Sequence, residues 1–215
     1  IVTHFSLMCE QLYKVCVTGF GAFPGCEHNP TEALVEELVA EGHTGFVLPV
    51  SAREVAARLP AVHEAVGGKG VIVHLGVAGT GTCCRLEMCS RNDATFRQAD
   101  TGGWQPTGEP VCAERDFGEC LHSPLRLREL AEALREDGHE VDATDDVGTY
   151  VCGYTYFLSL ASAAPGVASL FVHVPPFERV SKQAQLSFVR ALLSKLPAFH
   201  PPSIDEATRA GATRE

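Results

Sequence analysis

Apolar and polar positions along this chain alternate between short strand-like runs and helical stripes. Tyr13–Thr18 is an apolar run that stops at Gly19-Phe20-Gly21 and predicts a strand. Asn29, Pro30 and Glu32 then predict a helix start, with Asn29 as cap, Pro30 in the first helical position and Glu32 supporting the cap. Phe46–Val50 predicts a short strand. Ser51 and Glu54 follow with capping-box spacing, and Val55, Leu59, Val62 and Val66 form one apolar stripe. Gly70–Val77 is almost continuously apolar between glycines, the pattern of a central parallel strand covered on both faces.

Residues 90–121 lose this regularity and predict a long polar excursion with short edge strands, carrying the only tryptophan, Trp104. A loop that long in a compact domain often serves function. The stripe Leu127, Leu130, Ala131, Leu134 predicts a helix ending near Gly138, followed by a strand at His139–Ala143. Asp145–Gly148 reads as a turn. Tyr150–Ala163 reads as a helix with Val151, Tyr154, Leu158 and Ala161 on one side. Ser169–Val174 is a strand ended by Pro175-Pro176, and a last helix runs from about Ser181 to Leu196. From Pro197 onward, Pro, Ala, Thr and charge predict a disordered tail over 197–215, leaving 1–196 as one domain. The alternation predicts a three-layer α/β/α sandwich around a mostly parallel sheet. Ligands of such sheets bind beyond the carboxyl ends of the strands. That rule places the 19–25 loop, the segment after Val77, the loop before Cys152, and His173 on one edge.

Composition narrows the partners. With 215 residues, 45% apolar and 20% charged, the chain suits a single globular core. A net charge of −10 argues against nucleic acid. No apolar run approaches the roughly 20 residues of a membrane helix. Residues 1–10 lack the basic start and cleavage pattern of a signal peptide, so a cytoplasmic protein is expected; without an initiator Met, whether Ile1 is the natural start stays open. Ile1-Val2 resembles the start of a mature trypsin-like protease, but no Gly-Asp-Ser-Gly-like segment follows. Nine scattered cysteines, an odd number without a C-x2-C pair, argue against a disulfide framework. Cys83, Cys84 and Cys89 are the densest group, and their spacing is poor for zinc. No metal or cofactor is expected.

One cysteine has a chemically useful position. With Thr149 as cap, Cys152 is the third residue of its helix, where free N–H groups favour a thiolate and an oxyanion. Asp145 and Asp146 oppose a thiolate if they point inward, and from position alone a buried structural Cys is the stronger reading. His173 ends its strand on the same edge and is a candidate base; elsewhere such a His is usually a satisfied core residue. Glu87, in Arg85-Leu86-Glu87-Met88, could orient an imidazole, though alone it is one acidic residue among many. Phe20 and Phe23 in the glycine-rich loop suit a flat apolar ligand or simple packing. Gly19, Gly21 and Gly25 do not have nucleotide-loop spacing, which leaves a nucleotide-binding domain a poor third choice.

Four blocks together resemble the pyroglutamyl peptidase I family of cysteine peptidases: Val17-Thr18-Gly19-Phe20-Gly21-Ala22-Phe23, His74-Leu75-Gly76-Val77 through Leu86-Glu87, Val147-Gly148-Thr149-Tyr150-Val151-Cys152, and Phe171-Val172-His173-Val174-Pro175-Pro176. Order and rough spacing match over most of 14–196, and the segments around Glu87 and His173 are most similar to the vertebrate branch with its 1-like paralogue. The resemblance implies a phosphorylase/hydrolase-like fold and removal of N-terminal pyroglutamate from peptides by a monomer. It implies Cys152 as nucleophile, His173 as base and Glu87 as acidic partner. Phe20 and Phe23 then sandwich the pyroglutamyl ring, with Asn29 near the pocket. The chain departs from the pattern at Ala22 for Pro, Met88 for a basic residue, Gly153 for Asn or Asp, and through 90–121. These departures keep a second expectation open, a non-catalytic binding or regulatory paralogue.

Overall fold

The computed structural model describes residues 13–201. Most of the expected tail, 202–215, lies outside the described residues. The chain folds as β1 (Lys14–Phe20), α1 (Pro30–Ala40), β2 (Thr44–Leu48), α2 (Ala52–Val66), β3 (Gly70–Val77), β4 (Cys84–Glu87), β5 (Cys89–Arg91), β6 (Cys120–His122), α3 (Leu127–Glu136), β7 (Val141–Thr144), α4 (Val151–Ala161), β8 (Val167–Val174) and α5 (Lys182–Phe199). Six strands make one sheet in the order β2-β1-β3-β8-β4-β7, and β5 and β6 form a separate ribbon.

The sheet is the middle of three layers. Leu34, Val35 and Leu38 of α1, the stripe of α3, and Leu186, Val189 and Leu193 of α5 share one core with one face of the sheet. Val55 and Leu59 of α2 join Val151 and Tyr156 of α4 on the other. The centre is set by β3 and β8, which pair in parallel from Gly70↔Val167 to Val77↔Val174. Their aliphatic side chains are almost entirely buried. Each such Val or Leu contributes on the order of 1.5–3 kcal/mol, so these two strands anchor the edge beyond their carboxyl ends.

Strand β4 breaks the parallel pattern. It runs antiparallel to β8 and parallel to β7, placing Arg85 beside His173 and Glu87 beside Phe171. The four residues Cys-Arg-Leu-Glu are too short and mixed to announce a strand; pairing on both sides makes them one.

Helix starts differ in detail from expectation. Asn29 does cap α1, accepting from the Thr31 N–H at 3.1 Å. Ser51 makes no side-chain cap on α2. Asp100 does so from the excursion instead, its Oδ2 accepting from the Ala52 N–H at 2.8 Å. The last helix continues through Pro197 to Phe199, so Pro197–Phe199 belong to the fold rather than to a disordered tail. Leu196 is fully buried at that end, and packing outweighs the helix-breaking tendency of the proline. No helix among the described residues is long and apolar enough to cross a membrane.

The 90–121 excursion is closely organised. The Asn92 side-chain amide donates to the carbonyls of Cys112, Arg115 and Asp116 at 3.0–3.1 Å, and its Oδ1 accepts from the Cys112 N–H at 2.8 Å. Asp100 Oδ1 accepts from the N–H groups of Gly102 and Trp104. Phe96 is buried, edge-on to Trp104 and Tyr150.

Candidate active site

A cleft of about 380 Å³ opens at the expected sheet edge, lined by Phe20, Phe23, Asn29, Arg85, Cys152 and His173 among others. Five of the six expected site residues therefore line one cavity. The sixth, Glu87, lies behind it and is fully buried.

Each chemical group is aimed by its element. His173 is the penultimate residue of β8, so its side chain reaches the cleft while its backbone stays in the sheet. Its Nδ1–H donates to Glu87 Oε1 at 2.7 Å. The other Glu87 oxygen accepts from the Thr144 hydroxyl at 2.5 Å, and the Glu87 carbonyl accepts from the buried Tyr156 hydroxyl at 2.9 Å. Thr144 thus holds the carboxylate and Tyr156 the backbone of Glu87, and the carboxylate fixes which imidazole nitrogen looks at the cleft.

Cys152 is the second residue of α4 rather than the third, because Tyr150 and not Thr149 is the cap. Thr149 turns away, its hydroxyl donating to the Thr95 carbonyl at 2.6 Å. No side chain caps α4. The first intrahelical bond is from the Tyr154 N–H to Tyr150, so the N–H groups of Val151, Cys152 and Gly153 come before the ladder begins. Asp145 and Asp146 are exposed, but Asp146 lines the cleft beside Cys152, its Oδ1 accepting from the Gly148 N–H at 3.0 Å.

Burial pulls the His173 pKa down, but hydrogen bonds to Cys152 and Glu87 and the charges of both outweigh it and lift the group to about 9. The raised value favours the protonated ring near neutral pH.

Phe20 is buried at the foot of the cleft and Phe23 half-buried at its rim. After Phe23 the chain turns back through the Phe23–Cys26 bridge, with N–H···O distances of 3.1 and 2.8 Å, and Gly25 takes φ +86°. Asn29 does two jobs at once: it caps α1 and donates to the Gly21 carbonyl at 3.0 Å, tying the loop to the helix.

Two of the departures find a physical reason. A Cβ on Gly153 would lie 2.0 Å from the Gly148 carbonyl oxygen, so only glycine lets the preceding loop sit this close to α4. At position 88, Met88 packs on the core while Arg85 brings the positive charge, its Nε 3.6 Å from Glu87 Oε1.

Several contributors were invisible in the sequence. Gly76 leaves room for Cys152 and Phe171, since a Cβ there would lie 3.2 Å from Cys152 Sγ and 2.6 Å from the ring. Thr144 and Tyr156 hold Glu87, and Arg97 enters the cleft from the excursion. Only the pairing of β4 with β7 and β8 could have exposed the Thr144 and Tyr156 roles, and β4 carries no sequence signature.

A thiol at an uncapped helix start, an imidazolium beside it and a buried carboxylate behind form the equipment of a cysteine hydrolase on an α/β sandwich. The profile of the family described as Pyroglutamyl peptidase matches residues 13–188, and the chain belongs to that family. It is 32% identical to Pyroglutamyl-peptidase 1 of Mus musculus over 87% of this chain and 91% of the relative. It is 33% identical to Pyroglutamyl-peptidase 1-like protein of Homo sapiens, over 61% of this chain and 64% of the relative. The solved pyrrolidone carboxyl peptidase of Thermus thermophilus superposes with a TM-score of 0.75 at 26% identity, covering 85% of this chain and 99% of that one.

Proposed function

We propose that this protein is a cysteine omega-peptidase that removes N-terminal pyroglutamate from peptides, with Cys152 as nucleophile, His173 as proton carrier and Glu87 as the group that orients it. The observation that carries the reading is the Glu87–His173 hydrogen bond, with His173 and Cys152 sharing a cleft walled by two phenylalanines.

Pyroglutamate is a neutral lactam with no ammonium group to seek an acidic subsite. Phe20 and Phe23 offer its ring apolar contact, and loop backbone groups can meet its amide. The Cys152 thiolate attacks the carbonyl carbon that joins the ring to the next residue. Negative charge moves onto the carbonyl oxygen, where the early N–H groups of α4 favour it. The C–N bond then breaks as His173 delivers its proton to the leaving amine, leaving a thioester on Cys152 and a neutral imidazole. Water attacks the thioester while His173 takes its proton. Pyroglutamate leaves, and the thiolate–imidazolium pair is restored. Glu87 keeps its charge throughout and steadies the imidazolium.

We read the protein as a monomer in a reducing, cytoplasmic setting, where a working thiol is kept reduced. The intact charge arrangement gives no support to a purely binding role. The test is hydrolysis of a fluorogenic pyroglutamyl amide by reduced protein, beside Cys152→Ala. Cleavage that the variant loses is expected. A folded, reduced wild-type protein that does not cleave would defeat the reading.

A further inference from the structure

The ribbon formed by β5 and β6 carries a second chemical cluster that the peptidase reading does not use. The two strands run antiparallel with Cys89 opposite His122 and Arg91 opposite Cys120. Directly opposed residues share a face of a ribbon, and so do residues two apart on one strand. Cys89, Cys120 and His122 therefore project on the same side. Their donor atoms all lie within 4.8 Å of one another. Cys89 is buried, Cys120 half-buried and His122 exposed, so the group forms a short path from the core to solvent. The Cys89 thiol is hydrogen-bonded to Cys120 and approaches the Asp145 carbonyl oxygen at 3.4 Å.

We propose that Cys89, Cys120 and His122 form a binding site for a borderline-soft divalent cation of the zinc class, with two thiolates and one imidazole as ligands and the fourth position open to solvent. Tetrahedral zinc with these ligands sets its donor atoms about 3.5–3.8 Å apart. The three donors need move by only roughly an ångström to reach that spacing. Each thiol releases its proton as the cation binds, so two thiolates neutralise one divalent ion. Arg91 lies on the same face and favours the thiolates while opposing the cation, and the Asp145 charge beside Cys89 favours the cation. The linear sequence hides the site because its ligands sit at the two ends of the excursion, not in a compact motif.

The position gives the site a consequence. β5 and β6 are the neck of the excursion that sends Thr95 and Arg97 into the cleft and Asp100 to the start of α2. A cation across the neck staples that wall in place. The ribbon also begins two residues after Glu87, so the staple steadies the strand that carries the carboxylate.

Cobalt(II) is the probe, added to reduced, oxygen-free, full-length Cys152→Ala protein. That background removes the Cys152–His173 pair, which is itself a soft ligand set. We expect one cobalt per chain, with a thiolate-to-cobalt charge-transfer band and the visible bands of a tetrahedral ion. Cys89→Ser with Cys120→Ser should abolish the band. His122→Ala, at an exposed position, should keep the fold and weaken binding at least about tenfold, no less than loss of an outer partner does. Cys120→Ser alone serves if the buried position 89 does not tolerate change, and it too should lose the band. Cys83→Ser with Cys112→Ser should leave binding intact. No band in the Cys152→Ala protein, a band that survives loss of Cys120, or a band lost with Cys83 and Cys112 would overturn the proposal. Peptidase activity is not needed for any of these readouts, so the site stands or falls apart from the catalytic reading.

Discussion

Two histidines on neighbouring strands of the same sheet live under opposite electrostatic conditions. His74 in β3 is completely buried, and burial with a contribution from His63 pushes its pKa down to about 3. Its ring partners are neutral: the Thr18 hydroxyl at 2.7 Å on Nδ1 and the Ser159 hydroxyl at 2.9 Å on Nε2. His173 in β8 is almost as buried, yet Cys152 and Glu87 lift it to about 9. The ring of Phe171 neighbours both, 6.2 Å from His74 and 5.0 Å from His173. Depth in the core therefore does not decide the charge. The partner does: hydroxyl groups leave burial to expel the proton, and a carboxylate holds it. One ring is a candidate structural pin, the other the proposed proton carrier.

Replacing each ring separates these roles most sharply. His173→Ala should lower kcat/KM on a pyroglutamyl amide by about 10⁴-fold. His74→Gln should leave kcat/KM per folded molecule within about tenfold, with its damage confined to stability.

A smaller change converts one environment toward the other. Glu87→Gln removes the charge that sustains the imidazolium, so activity should fall by about 10²–10⁴-fold. The alkaline limb of the rate profile, expected near 9 in the wild type, should move to lower pH. An unmoved limb would mean that Cys152 alone sets the His173 charge.

Stability against pH reads the same contrast from the folding side. The unfolded chain binds a proton on His74 below about 6.5, whereas the folded chain refuses it until about 3. Stability should thus decline as pH falls through that window. His173 has the opposite sign: its contribution is complete below about 6.5 and is lost as pH rises through about 9. Urea midpoints across both ranges should show His74→Gln flattening the acid decline and His173→Gln flattening the alkaline one.

Crowding the shared neighbour should act on one side only. Gly76→Ala puts a methyl group against Phe171 and Cys152 and should cost about 1–3 kcal/mol. Because the thiol is displaced too, kcat should fall further than the loss of folded protein explains. The smallest effect is expected at Arg85→Met, which removes a cation 3.6 Å from Glu87 and should raise the alkaline limb slightly.

The contrast was only half legible in the sequence. Strand β3 could be read from Gly70 to Val77 because its apolar run is continuous, and Cys152, His173 and the two phenylalanines stood out at the ends of readable elements. The edge rule then gathered them correctly. The state of His173 was not legible, because it depends on Glu87, which sits on the short antiparallel strand β4 that only pairing reveals. As a result His173 could be named a candidate base from sequence, but the direction of its pKa shift could not. His74 illustrates the reverse limit: its identity is plain, but its partners Thr18 and Ser159 lie on other elements, far along the chain. The excursion was legible only as a polar stretch with short edge strands, because its order comes from Asn92 and Asp100 binding backbone groups, which leaves no periodicity.

Imidazole resonances assigned by His→Gln substitution and followed through a pH titration test the central claim most directly. The account predicts that the His173 ring is protonated at neutral pH and titrates near 9, and that the His74 ring stays neutral down to about 3. Two buried rings that both titrate near the ordinary 6.5 would contradict it.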